Sequence, residues 1–156
     1  MAHIRRRPKH LIAGWVLNQV SVKVVRSSPK RFYAELSKSL LAFNRAKAGD
    51  PKWKVVALES RSKKGELQGG LYGGTLWGWL YIELLWVDEK ARGRDLGSEL
   101  IARAEAIGKR RNCGHSFLNT FSFQAPGFYK KQGYKPFGSL QGFPKGYERI
   151  WMVKEL

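Results

Sequence analysis

Cysteine is nearly absent: Cys113 stands alone among 156 residues. One cysteine excludes an internal disulfide and suits the cytoplasm. Acid is scarce as well. Twelve Asp and Glu face 29 Lys and Arg, giving a formal net charge of +17, and no acid precedes Glu35 although eight basic residues do. A field of that sign draws in polyanions such as nucleic acid or phosphorylated ligands, and it repels polycations. Long apolar runs are missing. The run LWGWLYIELLWV (76–87) is too short for a membrane span and contains Glu83. The stretch LIAGWVL behind the basic arm of residues 1–10 is at the lower limit of a signal-peptide core and is followed by no small-residue cleavage site. The expectation is a soluble, cytoplasmic protein with no membrane partner. No G-x-x-x-x-G-K-[ST] occurs, and no G-x-G-x-x-G follows an early strand. His3, His10, His115 and Cys113 lack ligand spacing, so no metal is expected. Helix-turn-helix, RNP and zinc-finger patterns are also lacking.

What is present is a composition for one packed domain over residues 1–156, with 43% hydrophobic residues and six Trp, eight Phe and six Tyr. VSVKVVR (20–26) has the valines of a strand. Ser28-Pro29 opens a helix, and Phe32, Leu36, Leu40 and Phe43 recur along it at helical spacing. Three strands are predicted over 52–60, 66–74 and 76–87 as an antiparallel meander, with turns at Lys63-Lys64-Gly65 and Gly73-Gly74-Thr75. The third is nearly all apolar and reads as central, covered on both faces. Leu100, Ile101, Ala104 and Ile107 then form a helical stripe. A strand over 115–122, a short helix stopping at Gly133 and two closing strands complete the order β-α-βββ-α-β-α-ββ, a mixed α/β domain.

The chemistry concentrates in VDEKARGRDLGSELI, between a buried strand and a helix. Gly93 and Gly97, with Arg92 and Arg94, stand where the helix begins. A helix start leaves backbone N–H groups unpaired, glycine lets them approach a ligand closely, and arginine adds charge, which together suit a pyrophosphate. A solvated loop uses the same residue types. Cys113 reads as a small buried residue rather than a nucleophile. Glu83, one acid within an apolar strand, is expected to be buried and so raised in pKa, which would suit a general base. It could equally pair with an arginine or bind a cationic group of a substrate without taking its proton. Asp88 and His115 are weaker candidates for the base.

With these residues in view, the sequence resembles the GCN5-related N-acetyltransferases from about Val20 to its end. The cofactor motif R/Q-x-x-G-x-G/A is matched by Arg92-Gly93-Arg94-Asp95-Leu96-Gly97, with Asp95 in place of the middle glycine. The signature A-x-x-[FL]-Y-x-x-x-G-[FY] is matched by Ala125 to Tyr134. WGWLYIELLWV with FSFQAPGFYKKQGY is similar to a bacterial subgroup whose substrates are mostly unassigned. The resemblance implies a splayed, mostly antiparallel sheet of about six to seven strands flanked by helices. It implies acetyl-CoA as acyl donor, an amine acceptor and direct attack without an acyl-enzyme. Backbone groups of Leu85, Trp86 and Val87 would pair with the pantetheine arm, and those from Arg92, Gly93, Arg94, Asp95, Leu96, Gly97 and Ser98 would hold the pyrophosphate. Tyr129 would meet the cofactor sulfur and protonate the departing thiolate. Ser122 stands where many relatives use an Asn against the cofactor, and Asp95 is expected to cap the helix from Leu96 with its side chain. The acceptor site would form around residues 32–44 and 139–149, whose aromatics include Phe143 and Tyr147. A homodimer is compatible with the resemblance. The alternative is a basic nucleic-acid-associated module on the same fold with weak or no catalysis.

Overall fold

Lys63-Lys64-Gly65 reverses the chain, and Gly65 takes the positive φ of 84° that this tight turn needs. In the computed structural model, which describes residues 21–156, strands β1 (Lys54–Arg61) and β2 (Leu67–Leu76) pair antiparallel across that turn. The second expected turn is displaced. Strand β2 runs straight through Gly73-Gly74-Thr75, and the chain reverses instead at Trp77-Gly78, both at positive φ (44° and 77°), into β3 (Trp79–Val87). The two glycines serve packing rather than turning. A Cβ on Gly74 would lie 2.5 Å from the ring of Trp53, and one on Gly73 would collide with the carbonyl oxygen of Tyr81. Only a residue without a side chain fits either place.

Helix α1 (Pro29–Ala48), β4 (His115–Phe121), α2 (Leu96–Arg110), α3 (Pro126–Lys131), β5 (Lys135–Gln141) and β6 (Glu148–Glu155) fall close to their predicted positions. The strand expected over 20–26 does not form in residues 21–26. They have no regular structure, and Val22 and Val24 are 89% and 81% exposed, so no neighbouring strand satisfies their backbone. The basic arm of residues 1–10 and the apolar stretch after it lie outside the described residues. The described residues fall into two units that divide between Ala42 and Phe43. Every strand among them belongs to the second.

The six strands form one sheet in the order β1-β2-β3-β4-β6-β5, antiparallel except for the pair β3–β4. On one face Val56, Leu71, Leu80, Ile82, Leu118 and Met152 pack against Leu100, Ile101 and Ala104 of α2. Each fully buried aliphatic side chain there contributes roughly 2 kcal/mol. Gly108 brings α2 close to the sheet, since a Cβ would sit 3.4 Å from the Cβ of Leu80. Beyond its end, the Arg111 guanidinium donates to the carbonyls of Lys54 and Val55 and fastens the helix to β1. Tyr134 donates to Ser116 at 2.8 Å, and Lys154 pairs with Glu105 at 2.7 Å, so the chain after α3 and strand β6 are tied to the same core.

Candidate active site

The parallel pair β3–β4 opens the site. Trp79 to Ile82 pair with His115 to Leu118, and the pairing then stops. Both strands continue, but β3 stays with β2 as far as Val87 and β4 stays with β6 as far as Phe121. Among the described residues, the edge of β3 from Glu83 to Val87 is therefore left without a strand partner on the β4 side. A bulge sits at the point of divergence. Tyr72 is opposite Leu84 and Gly73 is opposite Ile82, so Glu83 has no partner on β2.

Beyond Val87 the chain turns into a helix start. The Asp88 carboxylate accepts from the Lys90 N–H at 2.9 Å and caps a 3₁₀ turn over Glu89–Ala91. Gly93 (φ 72°) and Asp95 (φ 57°) both take left-handed backbone before α2 begins. That conformation explains a glycine in the motif where this chain has Asp95, because Asp is among the few side chains that tolerate it. The first bond of α2 runs from the Glu99 N–H to the Asp95 carbonyl, at 2.9 Å. The N–H groups of Leu96, Gly97 and Ser98 have no acceptor within the helix, and these residues line a cleft of about 710 Å³.

Four groups line this cleft: the open edge of β3, the turn from Ala91 into α2, the end of β4 with the turn after it, and Phe128 and Tyr129 of α3. Glu83, Leu85, Trp86, Val87, Arg92, Gly93, Asp95, Leu96, Gly97, Ser98 and Tyr129 are all brought together there. Tyr129 is buried, and burial pushes its hydroxyl above the ordinary tyrosine value of 10.0. Its proton is thus retained across the neutral range. Arg92 donates from Nε to the Val87 carbonyl at 3.2 Å, which fixes its guanidinium at the lip. A Cβ on Gly97 would stand 3.3 Å from the Phe128 ring, so glycine keeps α2 and α3 close at the start of α2.

Several expectations are corrected. Glu83 is exposed rather than buried, because β3 is uncovered once β4 diverges. The same divergence leaves Leu84 and Trp86 62% and 48% exposed, so β3 is covered on both faces nowhere near its end. Asp95 stands at the N-cap position of α2 but makes no side-chain cap bond, since its left-handed backbone turns the carboxylate away. Arg94 and Ser122 are not among the cleft-lining residues. The Ser122 hydroxyl is engaged by the Glu148 N–H at 3.1 Å. Cys113 is buried, and burial raises its thiol against the opposing pull of Arg111, as befits a packed side chain. His115 stacks on Trp79 with ring centroids 4.5 Å apart.

Other cleft residues were not singled out from sequence. Asn119, Phe123, Gln124 and Phe128 line the cleft. Gln124 accepts from the Phe121 N–H and the Thr120 hydroxyl, holding the turn after β4 in shape. Gln132, outside the cleft, donates to the Ser98 hydroxyl at 3.0 Å and ties α3 to the start of α2. Its position inside the Ala125–Tyr134 signature was the available signal.

Comparison with known proteins agrees with this geometry. Residues 23–134 match the model of the acetyltransferase (GNAT) family. A blasticidin-S acetyltransferase of Streptomyces morookaense is 48% identical over 103 residues, covering 65% of this chain and 76% of that protein. The crystal structure of an acetyltransferase from Bacillus cereus superposes with a TM-score of 0.78 at 31% identity, covering 86% of this chain and 98% of the other. The PaiA N-acetyltransferase of Thermoplasma acidophilum, solved with coenzyme A, shares the fold at 19% identity and a TM-score of 0.56, over 81% of this chain and 74% of its own. A splayed sheet opening onto a glycine-rich helix start, with these relatives, makes this chain a member of the GNAT acetyltransferase family.

Proposed function

We propose that the chain is an acetyl-CoA-dependent N-acetyltransferase acting on a primary amine of a small molecule. The observation that carries this is the continuity of the cleft: an unpartnered strand edge leads directly to three free N–H groups at a helix start, with a buried, protonated tyrosine beside them. An open strand edge suits the amide-bearing pantetheine arm, and the helix start suits a pyrophosphate. Acetyl-CoA supplies the thioester whose acetyl group moves to the amine.

The residues divide the remaining work. Leu85, Trp86 and Val87 offer backbone groups along the arm. Leu96, Gly97 and Ser98 offer N–H donors, with Arg92 adding charge at the lip. Tyr129 holds a proton for the departing sulfur. Glu83, unpartnered at the bulge and open to solvent, takes the proton that the amine loses, directly or through water. No acyl-enzyme is needed. The relative at 48% identity makes blasticidin S the first acceptor to try. No observation among the described residues favours the basic binding-module reading over this one.

The test is thiol release from acetyl-CoA in the presence of blasticidin S, followed by mass spectrometry of the acceptor. Thiol release with a gain of one acetyl group is the expected result. Thiol release without any acetylated amine, from this or other amines, would contradict it.

A further inference from the structure

A guanidinium in a half-dry site is ordinarily neutralised by a carboxylate. Arg149 on β6 is not. It is partly buried, and the ion pairs among the described residues involve Arg31, Arg45, Arg61, Arg92, Arg103 and Lys154 instead. The neighbouring Glu148 carboxylate accepts from Gln141 at 2.6 Å. One contact fixes Arg149: its Nε donates to Asn119 Oδ1 at 2.8 Å. Three aromatic rings surround its guanidinium carbon, with centroids at 5.3 Å (Phe121), 5.9 Å (Phe143) and 5.4 Å (Trp151). The rings and Asn119 orient the fork and leave both terminal nitrogens without a hydrogen bond to the described residues.

This corner adjoins the cleft. Asn119 lines the cleft and holds Arg149. Phe123 also lines it, stacking on Phe121 at 5.1 Å and meeting Tyr147 edge-on at 4.9 Å. Strand β4 lies between β3, which carries Glu83, and β6, which carries Arg149. An acceptor spanning this opening would meet a carboxylate at one end and a guanidinium at the other.

We infer that Arg149 is the specificity-determining residue for the acceptor and recognises a carboxylate on it, with the surrounding rings flanking a flat body. The inference rests on the acetyltransferase reading above and names the acceptor class for that site. A planar carboxylate matches two parallel N–H donors of a guanidinium, and low water content strengthens the pair. Flat aromatic walls favour a planar group over a tetrahedral one.

Matched probes test this. The acceptors are para-(aminomethyl)benzoate and its carboxamide, which share the amine and the ring and differ in the anionic end. With acetyl-CoA saturating, the acid should show a KM roughly tenfold or more below that of the amide. Arg149→Gln should raise the KM of the acid by about that factor, with kcat and the KM of the amide little changed. Arg149→Lys, which retains charge without the fork, should fall between. A merely structural arginine would move both acceptors together. Equal KM values in the wild type, equal losses in Arg149→Gln, or turnover of neither probe by protein that binds acetyl-CoA would overturn the inference. Failure to bind acetyl-CoA would instead strike the acetyltransferase reading, so calorimetry with acetyl-CoA is run beside every variant.

Discussion

The two ends of the β3–β4 pair are built from similar residues and do opposite things. At the paired end, Leu80 and Ile82 are essentially fully buried and the strands hold each other through Leu118. At the splayed end, Leu84 and Trp86 stand exposed on the same strand, and the backbone of Glu83 to Val87 has no partner on the β4 side among the described residues. Apolar side chains and free strand backbone left open together are costly unless a ligand completes them. Paired sheet thus positions the cleft, and unpaired sheet lines it. The bulge at Glu83 is the hinge between the two, and Gly73 is what permits it.

Substitutions at the splayed end should remove function while sparing the fold. Gly97→Glu should have the largest effect, lowering acetyl-CoA affinity by at least about a hundredfold, because a carboxylate would then face the phosphates at the helix start. Calorimetry reads this, with circular dichroism to verify that contact with Phe128 has not unfolded the protein. Tyr129→Phe should lower kcat roughly a hundredfold with acetyl-CoA affinity unchanged. Since burial raises the Tyr129 hydroxyl above its ordinary value, no fall in wild-type rate across the neutral range should trace to its ionisation. Glu83→Gln should slow turnover by about tenfold, most at acidic pH where the amine arrives protonated. An even slowing at every pH would give Glu83 an acceptor-binding role. Gly73→Ala probes the hinge itself. Its Cβ would meet the Tyr81 carbonyl oxygen, so a loss of about 1–3 kcal/mol is expected by chemical denaturation. An unchanged midpoint would mean that the bulge relaxes freely.

The sheet and the helices were legible because their signals are local. Leu100, Ile101 and Ala104 share a helical face, and Lys63-Lys64-Gly65 turns as its composition says. Gly73 and Gly74 misled because a glycine that makes room for Trp53 or for the bulge looks the same in sequence as one that turns. The splayed end was misread for a related reason. WLYIELLWV is apolar but for Glu83, and nothing in it marks Ile82 as the residue where β4 departs. Glu83 was therefore expected to be buried, and it is exposed. The motif residues Gly93, Gly97 and Tyr129 were readable because backbone approach and the family pattern constrain them. Asn119, Phe123 and Arg149 were not, because their proximity depends on the register of β4 against β6, which brings Phe121 opposite Arg149.

Amide hydrogen exchange with and without acetyl-CoA tests the central claim most directly. The account predicts new protection at Leu85 to Val87 and at Gly93 to Ser98, with little change at Trp79 to Ile82, which β4 already covers. Protection confined to other segments, or none at saturating acetyl-CoA, would contradict the assignment of the splayed end as the cofactor site.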